Sequence, residues 1–143
     1  CLLLDGVQDP ANVGAIIRTA NAAGYRELYL IGCADPFSPK SVRASMSGVF
    51  FASLMQGTRE EVLSVLEDVP LIAADMDGKN VFAFLPPQKF ALCIGSEGNG
   101  LSEQVRARAA HTVRLPMGEQ TESLNAAVPA GTLLYELKRN QFI

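Results

Sequence analysis

The 143-residue chain has little of what would concentrate charge, metal or sulfur chemistry. Its 12 Lys and Arg residues stand against 15 Asp and Glu, a net charge of −3. No overall positive field therefore gathers nucleic acid from a distance, and any RNA or DNA contact has to be local. The single histidine, His111, has no cysteine near it in sequence, which argues against a zinc site. Cys1, Cys33 and Cys93 show no CxxC spacing, and their odd number suits reduced thiols better than a disulfide framework. No apolar run approaches the roughly 18 residues of a membrane span, and no basic-then-apolar leader opens the chain. Repeats, low-complexity tracts and clear linkers are also missing. The expectation is a cytoplasmic protein that uses neither membrane nor metal.

What is present is enough apolar material for one core: 48% of residues are hydrophobic and 19% charged, which at this length suits a single domain over 1–143. The chain opens inside the apolar run "CLLLDGV" without a methionine, and is expected to be a domain from a longer chain whose N-terminal part binds substrate. Strand-like and helix-like segments alternate. "LLLDGV" reads as a strand; Asp9 as an N-cap and Pro10 at the first helical position open a helix that Gly24 stops. "ELYLIG", "LIAADM", "FALCIG" and "HTVRLPM" read as further strands. "SPKSVRAS", "TREEVLSVLEDV" and "SEQVRARAA" read as helices, the second opened by a threonine cap. The end, "ESLNAAVPAGTLLYELKRNQF", reads as a helix with a kink or delayed start at Pro129. Alternation of this kind predicts an α/β fold, a mostly parallel sheet with helices on both faces.

Three segments carry chemistry. In "CIGSEGNGLS", three glycines fall within six residues after an apolar run, the form of a strand-to-helix turn that offers backbone N–H groups to a ligand. The loop lacks the lysine and hydroxyl of a P-loop and the order of a dinucleotide fingerprint, and Glu97 would repel a phosphate. A ligand with an adenosine and a positive centre but no phosphate fits better, and S-adenosylmethionine is such a molecule. The alternative is a tight turn whose glycines only supply positive φ. In the first helix, Val13, Ile16, Ile17 and Ala20 form one apolar stripe, while Ala11, Gly14, Ala15 and Ala22 surround Arg18. That arginine either meets a closely approaching partner or is an exposed cation on an alanine-rich helix. Asn12 is either a capping residue or a polar group of a site. In "RLPMGEQTESLNAAV" a strand leaves through Pro116 and enters a helix through Ser123 and Asn125, where Thr121 or Ser123 could serve only as a cap. Strand, polar turn and helix recur in the same order in all three, so the turns can gather at one end of a parallel sheet, where α/β ligands bind.

"DPANVGAIIRTANAAG", "IGSEGNGLS" and "LPMGEQTESLNAAV" resemble, in order, the three motifs of the SpoU (TrmH-like) RNA ribose 2′-O-methyltransferases, and "SVRASMSGVF" resembles the family's intervening stretch. One departure is Pro129 and Gly131, where the family continues an unbroken helix. The resemblance implies a SPOUT-type domain with a deep C-terminal trefoil knot, S-adenosylmethionine bound in the knot, and a homodimer acting on tRNA or rRNA. It implies a cofactor site at Gly95, Gly98, Gly100, Leu115, Met117 and Leu124, and catalytic and substrate positions at Asn12, Arg18, Glu97, Ser123 and Asn125. A catalytically silent RNA-binding or cofactor-sensing module on the same fold is the alternative. For methyl transfer the 2′-hydroxyl must lose a proton as it attacks, and arginine, protonated at neutral pH, is a poor base. Arg18 is therefore expected to grip phosphate and hydroxyl by forked hydrogen bonds, with Glu97 orienting it or assisting proton removal.

Overall fold

The computed structural model describes residues 1–120 and 124–142. Six strands pair in parallel: β1 (Leu2–Asp5), β2 (Glu27–Ile31), β3 (Ser53–Gly57), β4 (Leu71–Asn80), β5 (Ala91–Gly95) and β6 (Ala109–Arg114). Their order across the sheet is β3-β2-β1-β5-β4-β6. From β1 the chain steps outward through β2 to β3; it then crosses to β4, steps inward to β5 beside β1, and leaves β5 for β6 at the far edge. The seam between the central strands β1 and β5 is the switch point at which open α/β sheets present a crevice beyond their carboxyl ends. β1 is buried along its whole length, as its unbroken apolar run requires of a strand covered on both faces.

Among the described residues the chain forms five α-helices. On one face of the sheet α1 (Pro10–Ala22) buries the predicted stripe of Val13, Ile16, Ile17 and Ala20. Asp9 caps it, accepting a hydrogen bond from the Ala11 N–H at 2.9 Å, and Gly24 turns the chain away at φ +82°. α5 (Ala127–Glu136) packs beside α1 through Ala130, Leu133 and Leu134, and the Tyr25 hydroxyl donates to the Leu134 carbonyl at 2.7 Å. On the other face α3 (Arg59–Val65) and α4 (Glu103–Arg108) bury Val62 and Val105 with Leu3, Ala91 and Cys93. Thr58 and Glu61 form the capping box of α3, which is shorter than the predicted segment. α2 (Pro39–Ala44) leans on α1 so closely that a Cβ at Gly14 would lie 2.4 Å from the Ser41 carbonyl oxygen. Part of the small-residue face around Arg18 is thus cleared for α2.

Two expectations change and one open alternative is decided. The edge strand β3 was not anticipated. β4 runs on to Asn80 through an irregularity in which both Ala74 and Lys79 stand opposite Val113. Pro129 takes the third position of α5, where no intrahelical N–H is needed, so the proline marks a late start rather than a kink. Gly131 lets the two helices close: a Cβ there would come within 3.2 Å of Thr19 Cγ2. The segment between β6 and α5, on which the expected knot depends, includes residues 121–123, outside the described residues.

Candidate functional site

The irregular middle of β4, at Ala74–Met76, and the turns that follow β5 and β6 meet at the carboxyl end of the sheet around a cavity of about 440 Å³. Ile94, Leu115, Met117, Leu124 and Pro129 give it apolar walls, and Gly95, Ser96, Glu97 and Gly100 form its glycine-loop side. The glycine loop folds on itself: Ser96 and Gly100 exchange backbone hydrogen bonds of 3.2 and 2.9 Å. Gly95 has no room for a side chain because a Cβ would lie 2.2 Å from the Gly100 carbonyl carbon. The bareness of Gly95 therefore serves the closure of its own loop, and Gly100 supplies the positive φ of +65° at the far end. Gly98 stands at the exposed tip with nothing within 4 Å of its Cβ position, and it does not line the cavity.

Asn12, at the first turn of α1 and only 5% exposed, donates from Nδ2 to Glu97 Oε1. Two residues 85 apart in sequence thus meet at the edge of the cavity, with the carboxylate facing solvent and the amide holding it from below. Arg18 is not with them. Six residues further along α1 it lies about 9 Å down the axis and on another face. It is exposed there and lines a separate hollow with Asn21, Arg26, Met46 and Phe51. Asn125 spends its side chain on α5, accepting from the Ala127 N–H at 3.0 Å. Ser123 lies outside the described residues.

Some site groups went unanticipated. Asp5, ending β1, is 2% exposed; it accepts from Arg59 Nη2 at 3.1 Å and from the Ser102 N–H at 2.8 Å. Asp75 and Arg106 pair at 2.8 Å on the cavity wall. A carboxylate ending the run "LLLD" was the available signal for the first; nothing local marks the second. The three thiols are free, and burial pushes that of Cys93 up to about 12, so it stays neutral. Among the described residues no three His, Cys, Asp or Glu side chains cluster as metal ligands, and no helix is long and apolar enough to cross a membrane.

A parallel α/β sheet with an apolar cavity beyond its carboxyl ends, beside the point where the strand order reverses, defines a small-ligand-binding domain of the doubly covered class. The chain belongs to the SpoU rRNA Methylase family, whose model matches residues 1–135. It is 36% identical to the 23S rRNA (uridine(2479)-2'-O)-methyltransferase of Streptomyces viridochromogenes, over 98% of this chain and 52% of that one. The solved SpoU methyltransferase AviRb of Streptomyces viridochromogenes in complex with AdoMet superposes with TM-score 0.91 at 35% identity, covering 99% of this chain and 60% of that chain. A chain solved for "the 2-OH methylation of C/U34 on tRNA" gives TM-score 0.86 at 31% identity and is matched over 95% of its own length. The chain spans between 27 and 57% of the length of three curated relatives it matches.

Proposed function

We propose that this domain transfers a methyl group from S-adenosylmethionine to a ribose 2′-hydroxyl of RNA, tRNA or rRNA. The observation that carries the reading is the Asn12–Glu97 pair set at the edge of the cavity. The cavity fits the cofactor by its chemistry. Its volume falls within the roughly 300–1,000 Å³ of small-molecule sites, its walls are apolar enough for an adenine, and it holds a carboxylate where a phosphate would be repelled but a sulfonium tolerated. Gly95, Gly100, Leu115, Met117 and Leu124 would hold it; Gly98 is kept only as a loop residue. When bound, S-adenosylmethionine supplies an electrophilic methyl group.

The protein's share is orientation and proton handling. Asn12 is buried and donates to one oxygen of Glu97, which ties the carboxylate to the cavity edge and leaves its second oxygen unused by Asn12. That oxygen would accept the hydroxyl proton or a hydrogen bond from the substrate. Arg18 would grip RNA phosphate from its own hollow, where Arg26 and the exposed Met46 and Phe51 add charge and apolar surface. Ser123 keeps the role implied by the family motif.

The same reading includes a homodimer and a knotted C-terminal path. Thr19, Val128, Gly131, Tyr135 and Phe142 line a shallow hollow on α1 and α5, with Val128 53% and Phe142 55% exposed. A second copy seated there would border Arg18, the neighbour of Thr19, and could bring that arginine to the other copy's cavity.

Calorimetry with S-adenosylmethionine followed by mass analysis of ribose methylation tests the function. Micromolar binding and transfer to RNA are expected. No binding refutes the reading, and binding without transfer to any RNA favours the silent module.

A further inference from the structure

Among the described residues Asp5 is the one buried acid, and the proposed chemistry does not use it. Its side chain is 1% exposed, and a carboxylate removed from water is costly unless both oxygens are engaged. Both are: Oδ1 takes Arg59 Nη2 and Oδ2 takes the Ser102 N–H. Arg59 is the first residue of α3, where the helix dipole disfavours a cation, so the carboxylate and not the helix accounts for its place. Ser102 is where the glycine loop ends, and its hydroxyl caps α4 by accepting from the Val105 N–H at 3.4 Å. At the loop's entry Gly95 stands opposite Asp5 in the β1–β5 ladder.

The 96–102 loop is therefore gripped at two points, by Asn12 on Glu97 and by Asp5 on Ser102. We infer that Asp5, backed by Arg59, is a positioning residue for methyl transfer: it fixes the exit of the glycine loop, and through it the placement of Gly100 on the cavity and of Glu97 on Asn12. The inference rests on the proposed function for what the cavity holds. It assigns Asp5 and Arg59, neither of which lines the cavity, to the cofactor site.

The test compares Asp5→Ala, Asp5→Asn and Arg59→Met in the full chain, below their melting temperatures. Asp5→Ala should weaken S-adenosylmethionine binding by about ten-fold or more, the scale of one charge-assisted hydrogen bond, and lower kcat at saturating cofactor while leaving the KM for RNA unchanged. Asp5→Asn, which keeps an acceptor for the Ser102 N–H, should recover most of that affinity. A melting temperature that falls while cofactor affinity and kcat stay within two-fold would make Asp5 a purely structural acid and overturn the inference. Should Asp5→Ala not fold, Arg59→Met decides: weaker binding by about three-fold or more supports the pair, and unchanged binding overturns it. If the unmodified protein binds no S-adenosylmethionine, the proposed function fails by itself. Amide exchange then judges Asp5 alone, with Gly100 and Ser102 expected to exchange faster than α1 in Arg59→Met, and equal exchange counting against it.

Discussion

The Asn12–Glu97 corner and the Arg18 hollow sit on the same helix, yet they are built differently. At the corner, a buried amide from α1 and a loop carboxylate from 85 residues away are joined by a hydrogen bond inside one copy of the chain. At the hollow, Arg18 is exposed, and among the described residues it has no ion-pair partner. One region is finished within the chain; the other is set out for something else to complete. Residues that belong to one motif, "DPANVGAIIRTANAAG", need not belong to one site in one copy.

The largest effect that can break this contrast is at Arg18. Arg18→Ala should lower methyl transfer by about 100-fold or more, as loss of a charged substrate contact does, while S-adenosylmethionine affinity stays within about three-fold. Equal losses in rate and cofactor affinity would place the arginine in the cavity after all. The dimer reading sharpens the point. If Arg18 of one copy serves the cavity of the other, mixing Arg18→Ala with Glu97→Gln subunits should restore roughly a quarter of the unmodified activity, because half the dimers are mixed and each holds one intact site. Recovery at the background level would mean that each Arg18 works with its own copy's cavity.

The next effect divides the glycines of one loop. At Gly95 an added Cβ meets the loop's own backbone at 2.2 Å, whereas at Gly98 it meets nothing within 4 Å. Gly95→Ala should therefore cost about 1–3 kcal/mol of stability by overpacking and weaken the cofactor by opening the loop. Gly98→Ala should leave both melting temperature and cofactor affinity close to those of the unmodified protein. A Gly98→Ala variant that loses the cofactor would return the loop tip to the binding surface and contradict its placement.

What the sequence made legible follows from locality. Helix α1 was readable because its signals, Asp9, Pro10, the apolar stripe and Gly24, lie within sixteen residues. The parallel sheet was readable because β1 and β5 are apolar runs with turns behind them. Strand β3 was not, since at the sheet edge its residues are largely half-buried or exposed and the segment "SLMQG" carries no firm alternation. The cavity's place was legible in part: of the three turns that share one order of elements, those after β5 and β6 line it, and the segment after β1 reaches it only through Asn12. Asp5 and the Asp75–Arg106 pair were not, because their partners are brought by the fold from 31 or more positions away. Glycine illustrates the limit well: Gly95 and Gly98 look alike in "IGSEGNG", and only the return of Gly100 onto Gly95 tells them apart.

The smallest expected effect concerns RNA itself. Affinity for RNA grows with the number of phosphates neutralised, and the slope of affinity against salt counts them. This chain carries a net charge of −3, and its hollow offers Arg18 and Arg26 rather than a basic tract. If the domain needs a further segment, it should bind S-adenosylmethionine normally, hold RNA weakly, and show a shallow salt slope of about two phosphates. Substituting Arg26→Ala should then reduce that slope by about one without touching cofactor affinity, a modest but specific change. A steep slope and full methylation by these residues alone would show that the two arginines and their apolar neighbours are only part of a larger RNA surface already present in the domain.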